Sequence, residues 1–275
     1  MSYTSKDVKL NNGKYIPSIG FGTSLVTGEE CIRTIEKALK VGYRHIDTAS
    51  AYENEAEIGN AIKQSKIDRN ELFITSKVWK DSMGYENTIN SFEKSLKNLD
   101  LEYIDLFLIH WPNNKDEQLT LDTWRALEKL YKDGKVKAIG VSNFLKHHLE
   151  KLLAKCEIQP MVNQIEFHPG LMRPETLKLC KEKDIVVEAW APLGKGKMLN
   201  NETLLKMAEK YNVSIAQLCL KWCLQNDVIP LPKSQNEERM KQNLDLFYFN
   251  ISDSDMNIIN NMEFFAGSDM DPNKS

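Results

Sequence analysis

Cysteine is sparse in this chain and does not look paired. There are five, an odd number scattered over 275 residues, which argues against a disulfide framework. Cys219 and Cys223 lie four apart on a helical segment, but no further ligands stand near them in sequence, so they read as buried, reduced thiols rather than metal ligands. Charge of one sign is also missing. A net charge of −3 leaves nothing to favour nucleic acid or an acidic partner. No apolar run is long enough to span a bilayer. The first residues, Met-Ser-Tyr-Thr-Ser-Lys-Asp, have no apolar core and no signal-peptide shape. The Asn-x-Ser/Thr patterns at Asn201, Asn212 and Asn250 are then chance matches, and the cytosol is the expected compartment. Linkers and low-complexity stretches are absent as well, which leaves a single domain over 1–275.

What is present is an alternation. Asn11-Asn12-Gly13 between two short alternating runs predicts a β-hairpin over about 8–17. Eight apolar runs follow, at 19–22, 44–47, 72–77, 104–110, 136–141, 161–165, 185–190 and 228–231. Between them lie segments of helical spacing at 29–40, 55–64, 85–99, 121–132, 145–155, 174–183, 202–210 with 214–225, and 237–246. In the first of these, Ile32, Ile35, Ala38 and Leu39 share one face, and Glu30, Arg33 and Lys37 lie on the other. Strands that are apolar throughout, such as 104–109, fit a parallel sheet covered on both faces. An open doubly wound sheet would want a glycine-rich phosphate turn after the first strand, and Gly20-Phe21-Gly22-Thr23 does not continue into one. Eight units at this length predict an α/β fold, a (β/α)8 TIM barrel with an N-terminal hairpin. The tail, 266–275, is polar and expected to be loose.

In such a barrel, polar groups at strand C-termini are site candidates. The second strand ends in Asp47, and the loop after it carries Tyr52, with Asn54 as a helix cap. The third strand ends in Lys77 and the fourth in His110. Each has an ordinary reading alone: a turn carboxylate, an exposed charge, a packing histidine. Their placement at the ends of three consecutive strands favours a shared site. The set suits proton delivery to a carbonyl. A free phenol has a pKa of about 10, and a nearby ammonium favours the phenolate and lowers it. Asp47 would hold Lys77, and His110 would donate a hydrogen bond to a substrate oxygen.

Gly42-Tyr43-Arg44-His45-Ile46-Asp47-Thr48-Ala49 with Tyr52-Glu53-Asn54-Glu55 resembles a signature of the aldo-keto reductases. So do Leu108-Ile109-His110-Trp111-Pro112, Gly140-Val141-Ser142-Asn143-Phe144, Asn163-Gln164-Ile165-Glu166 and Leu231-Pro232-Lys233-Ser234, in family order over nearly the whole chain. The nearest resemblance is to the microbial and protist branch with diketogluconate reductases and prostaglandin F synthases. It implies an NADP(H)-dependent carbonyl reductase, with Tyr52 as proton donor, Lys77 and Asp47 tuning it, and His110 orienting the carbonyl. It implies that Ser142, Asn143 and Gln164 hold the nicotinamide carboxamide and that Trp190 stacks on the ring. Lys233, Ser234 and Arg239 match the clamp on the 2′-phosphate, where a cationic fork suits a dianion. Gln242 and Asn243 match the adenine contacts, and Gly22, Thr23 and Leu193 complete the cofactor site. Gly194-Lys195-Gly196-Lys197 reads equally as a flap over the pyrophosphate or a plain surface loop.

For the substrate, Leu25, Trp79, His110 and Trp111 are the expected walls. The family often has an aromatic residue after the Gly-Thr pair, and Ser24 stands there in this chain, which opens one wall. Phe264 and Phe265 are the only bulky residues expected near the short C-terminal end. A small-molecule carbonyl partner is expected, with no nucleic acid or membrane, and the resemblance implies a monomer. Two other functions compete. One is an NADPH-binding regulator with little turnover. The other is a metal-dependent hydrolase using Asp47, His110, Glu166 and His168, which leaves Lys77, Tyr52 and the Lys233–Arg239 cluster unused.

Overall fold

The computed structural model describes residues 7–265 and 267–275. The predicted hairpin forms from β1 (Asp7–Lys9) and β2 (Tyr15–Pro17), with Val8 opposite Ile16. Gly13 takes the left-handed turn conformation at φ 82°, and the Asn12 side chain accepts from the Lys14 amide. Leu10 and Ile16 are buried beneath it. Asn11 and Asn12 donate to the carbonyls of Pro160 and Lys137, so the hairpin covers the end of the barrel where the strands begin.

Eight parallel strands follow: β3 (Phe21–Gly22), β4 (His45–Asp47), β5 (Phe73–Val78), β6 (Ile104–Ile109), β7 (Val136–Ser142), β8 (Val162–Glu166), β9 (Val186–Trp190) and β10 (Val228–Pro230). Each pairs with the next in chain order. The first and last meet through Gly20 N donating to Pro230 O at 3.0 Å and Gly22 N to Pro232 O at 3.1 Å, which closes the (β/α)8 barrel. A Cβ on Gly20 would lie 2.4 Å from Leu231 Cδ2, so the seam needs glycine there. Every residue of β5 and β6 is buried, as strands covered on both faces require. The register sets Gly22 beside Asp47, Asp47 beside Thr75, and Lys77 beside Leu108, which brings the strand ends to one rim.

The outer helices are α1 (Gly28–Val41), α2 (Glu55–Ser65), α3 (Tyr85–Leu99), α4 (Glu117–Lys132), α5 (Lys146–Leu153), α6 (Pro174–Glu182), α7 (Glu202–Lys210), α8 (Ile215–Gln225), α9 (Glu237–Leu244) and α10 (Asp253–Asn260). Helix α4 begins earlier than the apolar spacing suggested, because the Asp116 side chain caps it by accepting from Leu119 N. Helix α10 was not anticipated. Ser252 caps it, and Met256 and Ile259 are its buried apolar positions.

The tail is not loose. Ser268 N and Oγ donate to the two carboxylate oxygens of Glu166, both at 2.7 Å, and Lys197 Nζ donates to Gly267 O. Asn114 Nδ2 donates to Pro272 O, and Ser275 Oγ donates to Pro112 O. A polar composition therefore marks hydrogen bonding to the barrel rim here, not freedom. Ala266 lies outside the described residues.

Candidate active site

Strands β4 and β5 build the centre. Lys77 is fully buried within β5, where an unpaired ammonium would be strongly disfavoured. Its Nζ donates to Asp47 Oδ1 at 2.7 Å and to Thr48 O at 2.8 Å. Burial alone would lower the ammonium's pKa, but Asp47, then Tyr52 and Glu188, outweigh it and raise it, so Lys77 stays charged. The ammonium sits 5.1 Å from the centre of the Tyr52 ring.

Tyr52 ends a short 3-10 turn, Ser50–Tyr52, closed by Glu53 at φ 53°. Ser50 Oγ locks that turn by donating to Lys77 O at 2.9 Å. Asn54 sits at the start of α2, but its side chain makes no capping bond. It is a staple instead: Nδ2 donates to Thr23 O and Val26 O, and Oδ1 accepts from Thr48 Oγ1 at 2.6 Å. The loops after β3 and β4 are thereby fixed to each other. The expected lowering of the Tyr52 phenol is reversed. Burial raises its pKa above 10 and outweighs the opposing pull of Lys77, with Asp47 adding to the rise. The consequence is a phenol that keeps its proton across the neutral range.

His110 follows β6. Its ring meets Trp79 edge-on at 4.9 Å and Tyr52 edge-on at 5.6 Å. Burial, then the charges of Lys77 and Lys80, hold its pKa well below 6.5, so the imidazole is neutral. Its Nδ1 is enclosed with no hydrogen-bond partner among the described residues. Asp47, Tyr52, Lys77 and His110 therefore do converge on one rim. Among the described residues no group of three or more His, Cys, Asp and Glu, the alternative set included, is placed to hold a metal ion. Glu166 is engaged by Ser268.

Next to these lie the ends of β7, β8 and β9. Ser142 Oγ donates to Gln164 O, and Asn143, at φ 64°, donates to His110 O. Trp190 Nε1 donates to Asn143 Oδ1 at 2.8 Å, which fixes the half-buried indole at the rim. Gln164 Nε2 donates both to Asp47 Oδ2 at 2.8 Å and to Glu188 Oε2 at 2.9 Å.

A single cleft of about 1960 Å³ runs across this rim. That is room for a dinucleotide beside a small substrate. Gly22, Thr23, Leu193, Ser142, Asn143 and Gln164 line it near its centre, with Trp190. Lys233 and Ser234, in the loop before α9, and Arg239, Gln242 and Asn243, on α9, line it as well. Among the described residues the exposed Arg239 guanidinium has no ion pair or hydrogen bond, so a cation is available where a phosphate could dock. Lys233 Nζ is engaged with Ser24 O at 2.8 Å. Asn243 is buried beside the Tyr43 phenol. These donors fit a phosphorylated dinucleotide. Lys195 and Gly196 also line the cleft, at φ 54° and 92°, so that loop borders the site.

The expected substrate walls Leu25, Trp79 and Trp111 all line the cleft. Phe264 and Phe265 do not; the Phe265 ring packs at Gly170, and Met270 reaches the cleft from the tail instead.

Sequence reading missed Glu188. Its signal was a carboxylate inside the apolar run 185–190, two residues before Trp190. The side chain is fully buried, and burial, then Asp47, push its pKa from 4.5 up to about 8. A raised carboxylate pKa in the folded state contributes stability in full below 4.5 and loses it as pH rises through 8. Glu188→Gln is expected to abolish this slope. Urea unfolding should show the natural protein losing up to about 4 kcal/mol relative to the variant between about pH 5 and pH 8, at about 1.4 kcal/mol per pH unit.

Sequence and fold together match a family. The aldo/keto reductase family model matches residues 18–263, and the chain belongs to that family. It is an oxidoreductase. It is 54% identical to the glyoxal reductase of Bacillus subtilis over 253 residues, which is 92% of this chain and 91% of that one. It is 42% identical to the 9,11-endoperoxide prostaglandin H2 reductase of Trypanosoma cruzi, over 93% of this chain and 90% of that one. An aspartate-to-alanine variant of Gox0644, solved in complex with NADPH, superposes with a TM-score of 0.93 at 37% identity and covers 99% of both chains.

Proposed function

We propose that this protein reduces aldehydes and ketones to alcohols with NADPH, and that Tyr52 delivers the proton. The observation that carries this is the fully buried Lys77, paired with Asp47 and set beneath the Tyr52 ring beside a neutral His110. When bound, NADPH supplies the hydride that reaches the carbonyl carbon. The chain's residues do the rest. His110, being neutral, donates to the carbonyl oxygen and orients it without competing charge. Tyr52 gives its proton to the same oxygen as charge develops there. Lys77 stabilises the phenolate left behind, and Asp47 keeps Lys77 charged. Trp190, Asn143 and Gln164 position the nicotinamide, and Arg239 with Lys233 and Ser234 takes the 2′-phosphate.

The cleft is open on its substrate side. Leu25 is 86% exposed at the lip, next to Ser24 where an aromatic wall is absent. This favours small and aromatic aldehydes, including dicarbonyls, in keeping with the likeness to a glyoxal reductase. The test is the initial rate of NADPH oxidation with a panel of small aldehydes, dicarbonyls, a steroid ketone and a prostanoid. Turnover of the small carbonyls is expected. Tight NADPH binding with no turnover would favour a regulator, and preference for one bulky substrate would contradict the open pocket.

Arg239→Ala should separate the cofactors. Loss of one charge-assisted contact of about 1.5–3 kcal/mol corresponds to NADPH binding roughly 10- to 100-fold more weakly. NADH, without the phosphate, should bind as before. Fluorescence titration of both nucleotides checks this.

A further inference from the structure

Glu188 lies in the middle of β9, and no step proposed above uses it. It is fully buried, and its Oε2 accepts from Gln164 Nε2 at 2.9 Å. The same nitrogen donates to Asp47 Oδ2 at 2.8 Å. A carboxamide nitrogen carries two hydrogens, and here both are taken by carboxyl oxygens on different strands. That settles which way the amide faces: an oxygen in place of this nitrogen would stand against two acceptors. The Gln164 Oε1 is left as the side chain's free acceptor. It has no hydrogen bond among the described residues and is not among the enclosed, unpartnered atoms, and Gln164 lines the cleft. Asp47 alone would not fix the amide, because it is itself committed to Lys77 through its other oxygen. The remaining oxygen of Glu188, Oε1, is enclosed and lies 3.6 Å from His45 Nε2, a ring held in turn by Thr75 Oγ1 at 3.1 Å. Gln164 is therefore the one hydrogen-bond partner of the carboxyl among the described residues.

We propose that Glu188 is a positioning residue for the nicotinamide: it occupies one of the two Gln164 amide hydrogens and so holds the Gln164 carbonyl toward the cleft, where it accepts from the amino group of the cofactor carboxamide. This rests on the NADPH reading above. It assigns Glu188 no contact with substrate or cofactor. Its effect passes through Gln164 and should be felt only by a ligand that has an N–H to offer.

The probe follows from that. In 3-acetylpyridine adenine dinucleotide phosphate a methyl ketone replaces the carboxamide, so there is no N–H for Gln164 to accept. Binding of NADP⁺ and of this analogue is measured on the full-length protein by tryptophan fluorescence. The natural protein should prefer NADP⁺. Glu188→Leu should weaken NADP⁺ by about tenfold and the analogue by less than about twofold, since only the carboxamide bond is lost. Glu188→Gln, whose own carbonyl can accept from Gln164, should keep the natural preference. Glu188→Met, closer in shape, replaces the leucine variant if that fails to fold. Equal weakening of both ligands would reduce Glu188 to a structural residue and overturn the proposal, as would an unchanged preference in the leucine and methionine variants. Failure of the natural protein to bind NADP⁺ would instead bring down the reductase reading, and this inference with it.

Discussion

Tyr52→Phe is expected to lower the rate of carbonyl reduction by about 10²- to 10⁴-fold, the usual contribution of a positioned general acid, while NADPH binds as tightly as before. The side chain differs from the natural one by a single oxygen. The ring keeps its place over Lys77 and its edge contact with His110, so packing is unchanged. Only the proton is removed. Binding of nicotinamide and phosphate depends on other residues, so the loss falls on kcat. In the natural protein the phenol is held above its ordinary value by burial, so activity should stay level through neutral pH and fall on the alkaline side. Tyr52→Phe should lack that alkaline fall. Rates measured with a small dicarbonyl across pH, alongside NADPH titration, decide it. Equal rates in both proteins would mean that another group gives the proton.

Lys77→Met is expected to damage both activity and stability. Removing the ammonium leaves Asp47 as a buried carboxylate without its partner, which costs about 3–5 kcal/mol. It also removes the cation that opposes the rise in the Tyr52 phenol, so the proton is held more tightly and kcat falls by about 10²-fold or more. The two effects separate in a double variant. Lys77→Met with Asp47→Asn removes the stranded charge, so denaturant unfolding should show most of the lost stability recovered, while the rate stays low. Recovery of the rate along with stability would show that Lys77 is structural only.

Much of this fold could be read in the sequence because a parallel barrel strand is buried on both faces. The run Ile104-Asp105-Leu106-Phe107-Leu108-Ile109 needs no alternation to be seen, and a polar residue at the end of such a run stands out. Asp47, Lys77 and His110 were visible for that reason. What a single chain position does not reveal is its partner across the barrel. Glu188 meets Gln164 from the neighbouring strand, and nothing local to residues 185–190 indicates it. Ser268 reaches Glu166 from 102 positions away, so a tail of polar residues looked free when it is tied. Asn54 has the composition and place of a helix cap, yet its amide serves two loops that only the barrel brings together. The direction of the Tyr52 shift was misjudged on the same ground, since the ammonium was legible and the burial that outweighs it was not.

The central claim is that this rim reduces a carbonyl by direct transfer from the nicotinamide. The measurement that tests it most directly is the fate of a label. A small dicarbonyl is reduced by the natural protein with NADPH carrying deuterium at the transferable C4 position, and the alcohol is analysed by mass spectrometry. One deuterium on the new carbinol carbon, at a rate that Tyr52→Phe abolishes, is the expected result. An alcohol without the label, or NADPH bound and never oxidised by any carbonyl offered, would contradict it.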